Sequence, residues 1–143
     1  MCIANFGTIL ILDNNEGRLK NIVNLLTDDS WDVKGFKNYD LGCRYLDKCG
    51  DAISLIIIDA DNNKKEYLST VSTIVNKKIH IPIMVISSNL EEVIPNDYSD
   101  IFGIIRPTEI NNLISKIQDV HFSYFFLKNV VRSTINSLQK IYS

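Results

Sequence analysis

Cysteine, proline and glycine are scarce in this sequence of 143 residues, which contains three, three and six of them. The cysteines, Cys2, Cys43 and Cys49, are odd in number and show no CxxC spacing. Structural zinc sites and thioredoxin-like redox centres carry such a signature, so its absence excludes both classes. We interpret the three cysteines as small apolar residues in a reducing cytosol.

An excess of basic charge and a long apolar run are also missing. The formal net charge is −2 and the basic residues are scattered, so we expect no direct nucleic acid binding by this segment. The strongest apolar run, Leu55 to Ile58, is far too short to cross a bilayer. The first residues lack the basic region of a signal peptide. These absences predict a cytoplasmic protein that does not enter a membrane.

Signatures of catalysis are absent from the sequence. It has no glycine-rich phosphate loop, no nucleophile elbow and no cluster of metal-ligating residues. We therefore predict that the chain is not an enzyme, and that it holds neither a cofactor nor a metal ion.

The sequence does contain a regular alternation of apolar blocks and helix-like stretches. A continuous run such as Ile9 to Leu12 is typical of a strand buried on both faces of a parallel sheet. Between the fourth and fifth blocks, Leu90 to Ile94 allows only a turn or two before Pro95 interrupts it. The alternation predicts an α/β fold with a doubly wound, five-stranded parallel sheet and a short or missing fourth helix. The strands are predicted at Ile9–Leu12, Trp31–Phe36, Ile53–Ile58, Ile83–Ile86 and Phe102–Ile105, the second of them at an edge.

Polar residues follow the ends of these predicted strands. In a doubly wound sheet the ligand or reaction site lies beyond the carboxyl ends of the strands. Side chains that end different strands are therefore expected to meet there. The candidates are Asp13, Asn14, Asp59, Ser87 and Arg106.

The order, spacing and strand context of these residues resemble the CheY-like receiver domains of bacterial response regulators, from about Thr8 to Ile117. The resemblance implies a flavodoxin-like receiver fold over 1–118. In that family an acidic pair after the first strand and an aspartate after the third hold Mg²⁺, and this aspartate accepts a phosphoryl group. A serine or threonine after the fourth strand and a lysine–proline pair after the fifth contact the phosphoryl oxygens. The matching residues are Asp13 and Asn14, the phosphoacceptor-equivalent Asp59 with Asp61 nearby, Ser87, and Arg106 with Pro107.

Several matched positions depart from the family pattern. Asn14 replaces a carboxylate, which weakens the binding of a hard cation, and Arg106 replaces the compact ammonium group of the lysine. Gly103 stands where the family has an aromatic residue that reports phosphorylation. We therefore predict a non-catalytic regulatory domain that works without phosphorylation. The alternative is a functional receiver of a two-component system, with Asp59 phosphorylated by a histidine kinase.

Like charges at neighbouring strand ends are costly unless a cation lies between them. We expect the Arg106 guanidinium to reach at least one of the carboxylates after the first and third strands. The resemblance further implies a cis peptide bond before Pro107. Other interpretations stay open: Asp59 as a solvated carboxylate, Ser87 as a turn hydroxyl, and Asp61 as a solvated loop acid or a partial replacement for the lost ligand charge.

The sequence from Thr108 to Ser143 has neither glycine nor proline, and its apolar pattern is helical to the end. Apolar steps of four and three are the signature of a two-stranded coiled coil, so we predict a helical extension at 119–143 and a homodimer. Phe122, Phe125 and Phe126 lie outside this seam and indicate contact with a neighbouring domain. The alternative is a helix folded back on its own sheet. The predicted seam comprises Leu113, Ile117, Val120, Tyr124, Leu127, Val131, Thr134, Leu138 and Ile141.

A degenerate receiver with an extended last helix resembles the atypical N-terminal receivers of FleQ-type sigma-54-dependent flagellar transcriptional activators. The stretch from Arg106 through Leu113 and Ile114 carries this resemblance. It implies the regulatory piece of a longer bacterial transcriptional regulator, in which an AAA+ domain and a DNA-binding domain are the expected partners.

Overall fold

The computed structural model describes residues 6–77, 80–89 and 101–142, and they form a five-stranded parallel sheet with the strand order β2-β1-β3-β4-β5. This confirms the predicted doubly wound fold, and β2 lies at an edge as expected. The registers place the ends of β1 and β3 side by side, with Leu12 opposite Ile58. The strands are β1 (Thr8–Leu12), β2 (Val33–Phe36), β3 (Ile53–Asp59), β4 (Ile83–Ile86) and β5 (Ile101–Ile105).

Four α-helices and two short 3-10 helices accompany the sheet in the described residues. The predicted short or missing fourth helix falls within 90–100, which lies outside the described part of the chain. The α-helices are α1 (Glu16–Asp28), α2 (Tyr39–Cys49), α3 (Lys64–Asn76) and α4 (Leu113–Tyr142), and the 3-10 helices are Gly50–Ala52 and Pro107–Asn112.

Asparagine caps start the three helices that follow β1, β2 and β3. Each cap has an extended backbone, and its side-chain oxygen accepts an N–H of the first turn, which satisfies a donor that the helix cannot use. The cap of α2 is Asn38, and Asp40 lies in the first turn of the helix. The backbone N–H groups of Arg18, Leu41 and Glu66 donate to the side-chain oxygens of Asn15, Asn38 and Asn63, respectively.

The hydrophobic core has two layers, one on each face of the sheet. Alternate strand residues point to opposite faces, so Leu10 and Leu12 pack with α2 and α3, while Ile9 and Ile11 pack with α1 and α4. Gly42 allows α2 to approach β1 closely, because a Cβ there would overlap the buried Leu12 side chain. The strands β1, β3 and β4 are therefore buried on both faces, as the continuous apolar runs indicated.

The first part of α4 belongs to the domain core. Leu113, Ile117 and Val120 are buried against the sheet, so these three residues of the predicted seam cannot face a second copy of the chain. They are buried because these turns of the helix cover the sheet face beside β5. Tyr124 is half-buried, and its hydroxyl donates a hydrogen bond of 2.7 Å to the His80 carbonyl.

The rest of α4 carries exposed apolar side chains. The whole helix has 30 residues and is therefore about 45 Å long. Thr134, Leu138 and Ile141 of the predicted seam are exposed, whereas the side chains of Leu127 and Val131 lie outside the described part of the structure. Among the described residues no helix is long and apolar enough to span a membrane. Further exposed apolar side chains are Phe122, Phe126, Val130 and Ile135.

Candidate functional site

Two buried carboxylates lie at the carboxyl edge of the sheet, at the ends of the adjacent strands β1 and β3. Asp13 has no exposed surface and Asp59 is 1% exposed. The structure therefore brings together the two acids that the sequence placed at this edge. Burying charge without a partner is costly, so the groups around these carboxylates decide what the site can do.

The guanidinium of Arg18 lies between the two carboxylates. Its Nε is 2.6 Å from Asp13 Oδ2, and its Nη2 is 3.0 Å from Asp13 Oδ1 and 2.8 Å from Asp59 Oδ1. The Arg18 side chain is only 16% exposed. A planar fork that donates to both oxygens of one carboxylate is the strongest form of such a pair. The predicted guanidinium is therefore present, but it belongs to Arg18 and not to Arg106.

The start of α1 explains why Arg18 reaches the site. Asp13 Oδ1 accepts the N–H of Asn15 at 2.9 Å, and the Asn15 side chain in turn accepts the N–H of Arg18. These two bonds hold the turn between β1 and α1 and put Arg18 in the first helical turn. A cation is disfavoured there by the helix dipole. That unfavourable position, five residues after a strand-end acid, was the sequence signal for Arg18 that our prediction missed.

Arg106 does not take part in the pocket, which corrects our expectation. Its side chain is 57% exposed, and its Nε lies 3.9 Å from Glu109 Oε1. The peptide bond between Arg106 and Pro107 is trans, so the predicted cis bond was wrong. Arg106 follows β5, the last strand of the sheet, and its side chain lies beside Glu109 of the following 3-10 helix Pro107–Asn112.

The loop after β3 holds Asp59 and connects it to the end of β4. Asp59 accepts the N–H groups of Asp61 and Asn62, both at 3.2 Å. Asp61 in turn accepts the Ser87 hydroxyl at 3.0 Å and the Ser88 N–H at 2.9 Å. Asp61 is thus not a free loop acid, because both of its carboxylate oxygens accept hydrogen bonds from the end of β4. Asp61 thereby connects the loops that follow β3 and β4, and it accepts the hydrogen bond that the Ser87 hydroxyl donates.

Asn14 turns away from the carboxylates. Its side-chain amide donates to Glu66 Oε2 at 3.2 Å, which connects the end of β1 to the first turn of α3. The structure therefore gives Asn14 a bridging contact between two elements. It does not place its amide oxygen as a third ligand beside the two acids.

The electrostatics of the site follow from burial and from Arg18. Burial raises the pKa of Asp59, and the Arg18 guanidinium and the two backbone N–H groups lower it only in part. The hydrogen bond to Asp13 raises the pKa of Arg18, so the guanidinium stays charged. Burial also raises the pKa of Tyr39, whose hydroxyl donates to the Asp59 carbonyl oxygen at 2.9 Å.

Gly103, which matches the aromatic position of the resemblance, packs under α4. A Cβ on Gly103 would lie 2.7 Å from Val120 Cγ2, closer than atoms of real side chains approach. An aromatic residue would therefore push α4 away from β5. The absence of a side chain at Gly103 therefore allows α4 to pack closely on β5.

The residues present do not fit Mg²⁺ in this arrangement. Each oxygen of Asp13 and Asp59 already accepts at least one hydrogen bond from the protein. The place between the carboxylates is taken by Arg18, and Asn14 faces Glu66. Across the described ranges no three acidic, histidine or cysteine side chains are grouped so that they could hold a metal ion.

No family model and no curated protein matches this chain. It is similar to a receiver domain protein from Clostridium thermocellum, with 21% identity and a TM-score of 0.72 over 85% of this chain and 99% of that one. A CheY-like receiver domain protein from Methanospirillum hungatei gives 15% identity and a TM-score of 0.70 over 83% and 96%. A fusion of the trimeric coiled coil of yeast Spc42 with another structure gives 16% and 0.70 over 97% and 98%. The chain therefore has the flavodoxin-like fold of CheY-like response regulator receiver domains.

Proposed function

We propose that this chain is a non-catalytic regulatory and dimerisation domain with a receiver fold, which works without phosphorylation of Asp59. The Arg18 guanidinium between two buried carboxylates is the observation that carries this proposal. Phosphoryl transfer depends on positioning and on neutralisation of charge by metal ions. In this site the Arg18 guanidinium already offsets part of the carboxylate charge, and it blocks the approach to Asp59 Oδ1.

The neighbouring groups support the same proposal. A phosphoryl group on Asp59 would need donors for its oxygens, but the Ser87 hydroxyl is bonded to Asp61 and Arg106 faces Glu109. The groups that the resemblance assigns to phosphoryl binding are thus engaged elsewhere or exposed. Only a concerted rearrangement of Arg18, Ser87 and Arg106 would make an ordinary phosphoacceptor site.

A phosphorylation assay tests this part of the proposal. The intact mass of the chain is measured after incubation with acetyl phosphate and Mg²⁺, with an ordinary receiver domain labelled in parallel. We expect labelling of the reference domain and no phosphoryl adduct on this chain. An adduct that disappears in Asp59→Ala would contradict the proposal and support the alternative, a phosphoacceptor served by a histidine kinase.

The dimerisation function is supported by the distal half of α4. Its apolar residues Ile135, Leu138 and Ile141 are exposed, Ile141 to 72%, and they lie on one side of the helix at steps of three. An exposed apolar stripe of this kind marks an interaction surface. Pairing with a second copy is the simplest way to remove it from water. The Spc42 fusion, which aligns over nearly the whole chain, contains a coiled coil.

Sedimentation velocity tests the dimer. We expect the unmodified chain to be dimeric at tens of micromolar, and Leu138→Asp with Ile141→Asp to be monomeric with an unchanged receiver fold. The matched control is Ser133→Asp with Asn136→Asp, which adds as many charges at exposed polar positions on the side of α4 opposite Leu138 and should stay dimeric. A monomeric unmodified chain would contradict the dimerisation function, and a trimer would correct the number of copies.

A finer assignment is part of the same proposal. The domain would belong to a bacterial transcriptional regulator of the sigma-54 activator type and act in the cytoplasm. AAA+ and DNA-binding domains would then supply nucleotide and DNA binding. The resemblance of the degenerate pocket and long last helix to FleQ-type receivers supports this assignment. The stacked rings of Phe122 and Phe126, 71% and 56% exposed, offer an apolar surface to a neighbouring domain.

A further inference from the structure

The positions of the two site carboxylates are fixed by bonds that do not involve Arg18. The N–H of Asn15 holds Asp13, and the N–H groups of Asp61 and Asn62 hold Asp59. These donors are backbone groups of turns at the ends of β1 and β3. The two acids would therefore stay in place if the Arg18 side chain were removed.

The charge at this site is not balanced by Arg18 alone. Two carboxylates face a single guanidinium, which leaves one net negative charge in a buried place. Without Arg18 two negative charges would remain side by side, and like charges repel strongly when solvent is excluded. A small divalent cation is the group that best satisfies two adjacent carboxylates and can bring its own water as further ligands.

We propose that Arg18 is a resident cation that keeps divalent metal out of a latent metal site formed by Asp13 and Asp59. The guanidinium and a metal ion compete for the same oxygens, because Arg18 binds both oxygens of Asp13 and one oxygen of Asp59. Loss of the Arg18 side chain converts the pair into a cation site. This inference deepens the proposed function and rests on it, since a closed pocket is what makes the domain independent of phosphorylation.

Manganese binding tests the proposal directly, because Mn²⁺ prefers the same oxygen ligands as Mg²⁺ and is visible by electron paramagnetic resonance. We expect no saturable Mn²⁺ binding by the unmodified chain and binding of one Mn²⁺ per chain by Arg18→Ala. The double variant Arg18→Ala with Asp59→Asn should lose the ion again. Arg106→Ala is the matched control, because it removes an arginine outside the pocket and should behave like the unmodified chain.

A second measurement covers the case in which Arg18→Ala folds poorly without metal. Arg18→Gln keeps a polar side chain at this position and removes the positive charge together with the guanidinium donors. A ligand that binds the folded state raises Tm, so Mn²⁺ should raise the Tm of both Arg18 variants but not that of the unmodified chain or of Arg106→Ala.

Two results would overturn the proposal. One is equally tight Mn²⁺ binding by the unmodified chain, and the other is a folded Arg18→Ala variant with neither Mn²⁺ binding nor a shift in Tm. These results are distinct from failure of the proposed function. A folded Arg18→Ala variant that binds no metal leaves the closed wild-type pocket intact, whereas phosphorylation of Asp59 in the unmodified chain removes the proposed function itself.

Discussion

Replacement of Arg18 by methionine should destabilise the fold through the carboxylates that it leaves behind. Removing one partner of a buried ion pair costs about 3–5 kcal/mol, and Arg18 serves two carboxylates with no exposed side-chain surface. In the unfolded chain Asp59 is ionised at neutral pH. Keeping it protonated in the folded variant at about pH 7 therefore costs at most about 4 kcal/mol, which corresponds to the roughly three units between that pH and the ordinary pKa of an aspartate. We expect a loss of about 3–4 kcal/mol.

The loss should depend on pH in a defined direction. In Arg18→Met the pKa of Asp59 in the folded state lies further above its pKa in the unfolded state. The stability that protonated Asp59 contributes is therefore fully present below the unfolded-state pKa and is lost as pH rises through the folded-state pKa. The penalty at about pH 5 should therefore be about 2–3 kcal/mol smaller than at about pH 7.

Urea unfolding at both pH values measures this loss, with Arg106→Met as the matched control. The control removes an exposed arginine outside the pocket and should change the free energy of unfolding by less than about 0.5 kcal/mol. A loss below about 1 kcal/mol for Arg18→Met, with no dependence on pH, would contradict this prediction, because it would mean that Arg18 is a replaceable surface cation.

Three further predictions concern the surroundings of the site. Tyr39→Phe removes the hydroxyl that donates to the Asp59 carbonyl and should cost about 1 kcal/mol in urea unfolding; an unchanged stability would argue against that bond. Gly42→Ala forces a methyl group into the buried Leu12 side chain and should cost about 1–3 kcal/mol. Its control Gly17→Ala, whose Cβ meets nothing closer than 3.6 Å, should be neutral or stabilising by up to about 1 kcal/mol; equal effects would contradict the packing. Burial raises the pKa of Asp59, so Asp59 contributes stability below its unfolded pKa that is lost as pH rises through the folded pKa. The stability of Asp59→Asn relative to the unmodified chain should therefore increase between about pH 4 and about pH 7, and a decrease would contradict the direction of the shift.

The inner strands were predictable because a strand that is buried on both faces appears in the sequence as a continuous run of apolar residues. Ile56, Ile57 and Ile58 have no exposed surface in β3, and few positions in a small α/β fold other than an inner strand can bury such a run. Asp13 and Asp59 were predictable for a related reason: a polar residue that ends a buried run must lie at the carboxyl edge of a parallel sheet.

The partner of the two acids was not predictable from position along the chain alone. Arg106 ends a strand and follows the family order, but its side chain is exposed and lies beside Glu109. Arg18 ends no strand, and it reaches the acids because the Asn15 cap turns the chain back toward Asp13. A contact made through a turn depends on backbone geometry, which apolar periodicity does not report.

The last helix was predictable in its extent but not in its environment. A pattern of apolar steps of four and three is the same whether the helix packs on a sheet or on a second helix. Leu113 and Ile117 pack on the sheet, whereas Leu138 and Ile141 are exposed. The helix changes from a buried to an exposed environment at the place where it passes the end of the sheet. That place is determined by the tertiary structure.

A crystal structure of the chain grown with saturating Mg²⁺ would show whether Arg18 closes the pocket against metal. We predict that the Arg18 guanidinium remains within hydrogen-bonding distance of both Asp13 and Asp59, with no metal ion between the carboxylates. Mg²⁺ bound to both carboxylates, with Arg18 turned out to solvent, would contradict it and would make Asp59 a conventional phosphoacceptor candidate.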